Sequence, residues 1–274
     1  MLGIERKQII INLLKQKNRV YVSELSKQFQ VTDETIRRDL KEIEKRGIAT
    51  RSHGGAVLNQ QGEIKPFIER ELINRKLKEA IADQLKTLIH DGMVLMVDAS
   101  TTTKLALERI NPRLNLTVIT NSYSLINDLS DNDNIRFIAT GGECYGRYRA
   151  YVGTDAISTI KHYNADLALL SCHSLSLEQG YMESNQLESD VKCTMRAQST
   201  QTIMLADHTK FNRKSLVNSL PLTDVDVLVT DVKPDLSWLN YFKIKGLTLI
   251  YPQPAQDSEA EGMASTSSDE SRSF

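Results

Sequence analysis

Cysteine is scarce in this sequence. Cys144, Cys172 and Cys193 are the three in 274 residues. They are too few and too scattered for a disulfide framework and lack the CxxC spacing of a metal pair. A reducing compartment fits such usage. Long apolar runs are missing as well. Nothing approaches the roughly 18 residues that would span a bilayer, so no membrane partner is expected. The opening stretch MLGIERKQIIINLL interrupts its apolar residues with Glu5, Arg6, Lys7 and Gln8 and has no small-residue cleavage site. It does not read as a signal peptide, and the expected location is the cytoplasm. Net charge is nearly absent, at −1.

What is present is the composition of a globular protein, 40% hydrophobic and 25% charged, with a length more natural for two domains than for one. The charge is divided unevenly. Residues 1–60 hold 12 Lys and Arg against 7 Asp and Glu, which leaves 22 against 28 for the remainder. A basic head on an acidic body suggests that the head alone meets a polyanion.

The head reads as three helices. ERKQIIINLLKQKN places Ile9, Ile10, Leu13 and Leu14 on one side. In VSELSKQF, Ser23 is an expected N-cap, and Leu25 and Phe29 stand four apart. After QVTD, Thr32 is expected to cap a third helix carrying TIRRDLKEIEKRG. At about 100° per residue, Ile36, Leu40 and Ile43 share one narrow side of it, and Arg38, Lys41 and Lys45 fall almost opposite, with Arg37 on the flank. Such a row of cations suits a DNA major groove, and Thr35 stands near enough to the helix start to join it. A plainer reading is a solvated face with Glu34–Arg38 and Glu42–Arg46 as i,i+4 pairs. IATRSHGGAVL then forms two extended runs about Gly54-Gly55. Helix-turn-helix plus hairpin predicts a winged helix, with Arg51 and His53 on the wing. His53 has no metal-ligand spacing around it.

Residues 59–70, polar with one proline, are expected to be a linker, dividing a domain over 1–58 from one over 71–251. ELINRKLKEAIADQLKTLIHDG resumes helical spacing through Leu72, Leu77, Ile81, Leu85 and Leu88. Apolar runs then alternate with helical segments: MVLMV (93–97), LTVIT (116–120), IRFIA (135–139), LALLS (167–171), TIMLA (202–206), VDVLVT (225–230) and LTLIY (247–251). Apolar strands between helices predict a mainly parallel α/β sheet covered on both faces, with ligands at the carboxyl ends of its strands. The first end is Asp98, followed by Ser100, Thr101, Thr102 and Thr103 leading into a helix, an arrangement suited to an anion or equally to a simple cap. The second holds Asn121 and Ser122. The third holds Gly141 and Gly142, with Arg147 and Arg149 behind. Further on, Glu188 and Lys192 stand four apart on a predicted helix, the spacing of an ordinary surface ion pair, and Lys210 follows another strand. Residues 252–274 are rich in Ser, Glu and Asp and are expected to be disordered.

The stretch SELSKQFQVTDETIRRDLKEIEKRGIATRSHGGAV resembles the winged helix-turn-helix of the DeoR family of bacterial transcription regulators. TIRRDL followed by RSHGGAV carries most of that likeness. DASTTT, VITNS, GGECYGRYRAYVG, ESDVKCTM and LADHTKF are similar to the family's C-terminal sensor domain, itself similar to sugar-phosphate isomerases. The resemblance covers roughly residues 5 to 251. It implies an α/β protein: a winged helix-turn-helix that binds double-stranded operator DNA, a mainly parallel sensor domain, and assembly as a homo-oligomer, a dimer or tetramer. The DNA contacts it implies are Ser23, Thr32, Thr35, Arg37, Arg38, Lys41, Lys45, Arg51 and His53. A phosphorylated sugar or related metabolite would bind at Asp98, Ser100, Thr101, Thr102, Asn121, Ser122, Gly141, Gly142, Arg147, Glu188, Lys192 and Lys210. No cofactor, catalytic residue or metal is implied. There is one departure. Where many members carry G-x-x-G after the fourth strand, this chain has Cys172 and His173 in LLSCHSLSLEQGYMESN, closer to the fucose-operon activator branch. Cys172 reads as a small buried hydrophobe. A rival reading is a sugar-phosphate isomerase or hydrolase with a DNA-binding appendage, using Asp98 and Glu188, with His173 a further candidate.

Overall fold

The computed structural model describes residues 3–17, 19–45, 49–52, 54–58 and 65–253. His53, half of the expected linker (59–64) and nearly all of the expected tail lie outside the described residues.

The head contains α1 (Gly3–Lys17), β1 (Arg19–Tyr21), α2 (Val22–Phe29), α3 (Asp33–Lys45), β2 (Ala49–Ser52) and β3 (Gly55–Leu58). Its strands form an antiparallel sheet in the order β1-β3-β2. The core takes Ile10, Ile11 and Leu14 from α1, Leu25 from α2, and Ile36, Leu40 and Ile43 from α3. Burying each such side chain contributes about 1.5–3 kcal/mol before conformational entropy. The spacing of α3 is as expected. That of α1 is shifted, since Ile11 is buried while Ile9 is exposed. Ser23 does not cap α2, which begins one residue earlier, at Val22 after Tyr21. The third strand, β1, was not legible because three residues are too few to show a period. It explains Gly55. A Cβ there would stand 2.1 Å from the Val20 carbonyl oxygen, so the close approach of β3 to β1 requires glycine.

The body follows as α4 (Phe67–Leu72), α5 (Arg75–Gln84), β4 (Val94–Val97), α6 (Thr101–Glu108), β5 (Leu116–Thr120), α7 (Tyr123–Leu129), β6 (Ile135–Ala139), β7 (Glu143–Tyr145), β8 (Ala150–Val152), α8 (Thr154–Lys161), β9 (Ala165–Ser171), β10 (Ser174–Ser176), β11 (Gly180–Glu183), α9 (Gln186–Ala197), β12 (Ser199–Leu205), β13 (Val217–Leu220), β14 (Val227–Val229), α10 (Leu236–Lys245) and β15 (Thr248–Ile250). The seven apolar runs form one parallel sheet in the order β15-β14-β12-β9-β4-β5-β6. Successive side chains alternate between its faces. In β9, Leu167 and Leu169 join one apolar cluster, and Ala168 and Leu170 join the other, which is why the run has no polar period. The chain starts in the middle at β4, builds outward through β5 and β6, then returns to place β9 on β4's other side. The connections that leave β4 and β9 therefore run in opposite directions along the sheet, and a crevice opens outside the carboxyl ends of these two strands.

Two expectations need correction here. The helix expected after residue 71 is broken at Asn74, which has φ 54°, and Leu72 is 72% exposed rather than buried. Its first part, α4, begins at Phe67, inside the stretch read as linker. The β7–β8 hairpin and the small β10-β11-β13 sheet were not foreseen. Among the described residues no helix is long and apolar enough to cross a membrane.

Candidate functional site

On the head, the question is what the acids of α3 do. Thr32 Oγ1 accepts from the Thr35 N–H at 3.3 Å, so Thr32 caps α3 as expected. Asp39 is buried and accepts from Arg6 Nε at 2.5 Å. Glu42 pairs with Lys7. Glu44 accepts from the Arg51 N–H at 2.9 Å and from Arg51 Nε at 2.7 Å, and those two bonds hold its carboxyl below the usual range. These acids fasten α3 to α1 and to the wing. Arg37, Arg38 and Lys41 are left exposed, and neither arginine forms an ion pair among the described residues, so the Glu34–Arg38 pair of the plainer reading is not made. Arg51 stands on the wing, exposed, with its Nε tied to Glu44. Ser23 is exposed on α2, where its carbonyl accepts from Ser26 Oγ. The side chain of Lys45, like His53 and Arg46, falls outside what is described.

In the body, the crevice holds a cavity of about 240 Å³. Its floor is a buried charge cluster. Lys192 Nζ on α9 lies 2.6 Å from Glu183 Oε1, 2.8 Å from the Ser171 carbonyl and 3.1 Å from Asp98 Oδ2. Burial opposes its charge, but Glu183, Asp98 and Glu188 together outweigh that and raise its pKa. Asp98 also accepts from Thr103 Oγ1 at 2.9 Å and from the Ser171 N–H at 3.1 Å. Its oxygens are committed, and it lies beneath the lining rather than in it. Asp98 and Lys192 thus bind the ends of β4 and β9 to β11 and α9.

Above this floor stand groups with fewer partners. Ser100 caps α6 by accepting from the Thr103 N–H at 3.0 Å, and Thr101 and Thr102 line the cavity at the helix start, where first-turn N–H groups lack helical partners. Glu188 is buried, and its carboxyl accepts no hydrogen bond among the described residues. Burial, opposed by Lys192, pushes its pKa up to about 7. Lys210 donates to Ser171 Oγ at 3.0 Å. Lys78 donates to the Arg70 carbonyl, and burial, then Lys210, lowers it to about 8. Arg70 Nε and Nη2 are enclosed with no hydrogen-bond partner among the described residues. Arg213 completes the cationic lining. His173, at the mouth, is held below its ordinary value by desolvation and nearby Lys210, so it is neutral near pH 7. Burial pushes the Cys172 thiol up to about 12, consistent with an inert hydrophobe.

Of the expected ligand residues, the structure gathers Ser100, Thr101, Thr102, Glu188, Lys192 and Lys210 at one cavity. It does not bring Asn121, Ser122, Gly141, Gly142 or Arg147 there, because β5 and β6 lie on the side of β4 away from the crevice. Asn121 donates to the Tyr151 carbonyl at 3.0 Å. Ser122 caps α7. Gly142 has φ 106°, and a Cβ would meet the Val152 carbonyl oxygen at 2.7 Å, so its role is to let the hairpin pack. Gly141 adjoins it with φ 63°. Arg147 is exposed on the β7–β8 hairpin, and its carbonyl accepts from the Phe67 N–H at 3.1 Å. Glu188 and Lys192 are not a surface pair, since both are buried. Sequence reasoning missed Arg70, Lys78, Glu183 and Arg213. Glu183 carried a weak signal as a charged residue adjoining apolar ones in YMES, and Arg70, between Glu69 and Glu71, carried none.

Two family models match the chain. The family model of the DeoR-like helix-turn-helix domain matches residues 6–62, and that of the DeoR C-terminal sensor domain matches residues 73–232. The chain is 38% identical over 232 residues to an uncharacterized HTH-type transcriptional regulator of Bacillus subtilis, covering 84% of this chain and 90% of that one. It is 30% identical to the glycerol-3-phosphate regulon repressor of Escherichia coli, covering 85% and 92%. The L-fucose operon activator of Haemophilus influenzae is also 30% identical, covering 82% and 91%, so the fucose branch is not set apart from the others. Ribose 5-phosphate isomerase A of Methanocaldococcus jannaschii aligns at TM-score 0.39 and 16% identity, covering 52% of this chain and 56% of that one.

Proposed function

The chain belongs to the DeoR family of transcriptional regulators, and from that premise we propose that its grip on operator DNA is set by a phosphorylated sugar, or a related small phosphate, held in the cavity between β4 and β9. The head supplies α3 to the major groove, where Arg37, Arg38 and Lys41 neutralise phosphates. The protein works in the cytoplasm as a homo-oligomer, whose repeated heads read repeated half-sites. Relatives named for a glycerol-3-phosphate regulon and a fucose operon support carbohydrate utilisation as the setting.

One observation carries the effector reading: the cavity's charges do not balance among themselves. Asp98 and Glu183 are committed to Lys192, and Asp207 accepts from Thr209 and Asn74. That leaves Glu188 and Asp207, whose charge the neutral donors Thr209 and Asn74 do not cancel, facing Arg70, Lys78, Lys210 and Arg213, so cations remain in excess. A phosphate answers the cations, and a sugar hydroxyl suits the partnerless Glu188 carboxyl. Binding to one conformation of the body biases the head by a coupling free energy, typically about 1–3 kcal/mol.

The test is a thermal-shift panel of phosphorylated and unphosphorylated sugars. A true effector at 100 times its dissociation constant adds about 2.7 kcal/mol of stability, and its unphosphorylated parent adds little. Equal responses to both would remove phosphate from the proposal.

A further inference from the structure

We propose that Arg70 is the cavity's oxyanion receptor and that filling it fastens α4, the first helix beyond the linker, onto the body. This rests on the effector reading above and adds the residue that receives the anion and the element that reports it.

Two guanidinium nitrogens of Arg70, Nε and Nη2, are enclosed without a hydrogen-bond partner among the described residues, although buried donors are nearly always paired. The guanidinium is held in place by ring faces, with its central carbon 5.1 Å from the Tyr148 centroid and 5.6 Å from that of Phe67. Tyr148 is in turn fixed by its hydroxyl, 3.2 Å from Ser184 Oγ. Arg70 lines the cavity, and Nε and Nη2 form one side of a planar fork whose geometry matches two oxygens of a phosphate. Lys78 sits at the Arg70 carbonyl, which places a second cation on the adjoining helix. Two like charges brought together in this way favour an anion between them.

The position of Arg70 in the chain gives the second half of the inference. Along α4, Phe67, Arg70 and Glu71 lie at i, i+3 and i+4 and face the body. Phe67 is buried, with its N–H on the Arg147 carbonyl, and Glu71 accepts from Lys104 Nζ at 2.7 Å. Ile68 and Leu72 face outward, 56% and 72% exposed. The helix is attached by the Phe67 ring and N–H, the Glu71–Lys104 ion pair, the Lys78 bond to the Arg70 carbonyl and the contact of the Arg70 guanidinium with Tyr148. An anion at Arg70 adds direct bonds between α4 and the cavity wall, next to the chain that leads to the head.

The experiment uses the full chain with inorganic phosphate as probe and reads both thermal shift and hydrogen exchange of the peptide spanning residues 67–72. The variants are Arg70→Gln, Arg70→Lys and the exposed, distant Arg113→Gln. Phosphate should stabilise the wild type saturably and slow exchange in 67–72. Arg70→Gln should weaken phosphate by about 10-fold or more and abolish that protection. Arg70→Lys, which keeps charge over the rings but loses the fork, should fall between, and Arg113→Gln should match the wild type. Should Arg70→Gln bind phosphate as the wild type does, the receptor assignment fails, while the effector reading stands. Saturable phosphate binding that leaves exchange in 67–72 unchanged overturns the fastening. If the wild type responds neither to phosphate nor to any phosphorylated sugar, the effector reading itself falls, and this inference with it.

Discussion

Replacing Lys192 by methionine tests whether the cavity floor is structural. The substitution keeps the length and removes the charge. Lys192 Nζ lies within 3.1 Å of Asp98 and 2.6 Å of Glu183, both almost fully buried. Removing it strands two carboxylates without their cation. Breaking a buried pair by deleting one partner costs about 3–5 kcal/mol. For a domain of about 150–250 residues, each kcal/mol moves the melting temperature by about 2–4 °C, so the body should melt about 6–20 °C lower. The pH dependence has a definite sign. Glu183 is already above its usual carboxylate range because burial outweighs the pull of Lys192, and without that lysine it rises further. A carboxyl whose pKa is raised on folding contributes stability while protonated and loses it as pH climbs through the folded value. The deficit should therefore narrow as pH falls from about 8 to about 5. Adding Glu183→Gln to the variant should recover part of the loss, a coupling that a double-mutant cycle measures. Differential scanning calorimetry on the three variants decides it. A loss below about 1 kcal/mol, or one that widens in acid, would refute the assignment of Lys192 as the cation that binds the floor together.

Arg38→Ala should weaken operator binding and reduce the salt slope by about 0.9 of a unit, read by anisotropy titration at several salt concentrations; an unchanged slope would take Arg38 off the DNA phosphates. Gly55→Ala puts a Cβ 2.1 Å from the Val20 carbonyl oxygen, so it should cost the head about 1–3 kcal/mol and perturb the β1–β3 pairing; a variant whose amide spectrum overlays the wild type contradicts this. Glu188→Gln should raise the melting temperature of the ligand-free protein more at pH 8 than at pH 5, because a carboxyl held at about 7 loses its folding contribution as pH rises through that value. The same variant should bind the effector more weakly, and unaltered binding would remove the Glu188 carboxyl from ligand contact.

Much of the fold was readable in the residues, and the limits have physical causes. The strands of the parallel sheet announce themselves because burial on both faces leaves uninterrupted apolar runs such as LALLS. Helix α3 does so because Ile36, Leu40 and Ile43 keep the helical period while the cations oppose them. The site was less legible. Asn121 and Gly142 do follow strands, but which strand ends border the crevice depends on strand order, and order is set by long-range pairing that no local pattern encodes. Glu188 and Lys192 have the spacing of a surface pair, and only the surrounding β9 and β11 reveal them as buried. Arg70 lay in a polar stretch with one proline, where nothing local distinguishes a linker from a helix whose one apolar anchor, Phe67, finds its partners on a distant hairpin.

The most direct measurement is the affinity of the full chain for a duplex taken from upstream of its own gene, titrated with salt, with and without phosphorylated sugars. The expected result is a salt-sensitive affinity that one such phosphate shifts by about 5–150-fold. Binding that ignores salt, or that no phosphorylated sugar changes in either direction, would contradict the coupling of α3 to the cavity.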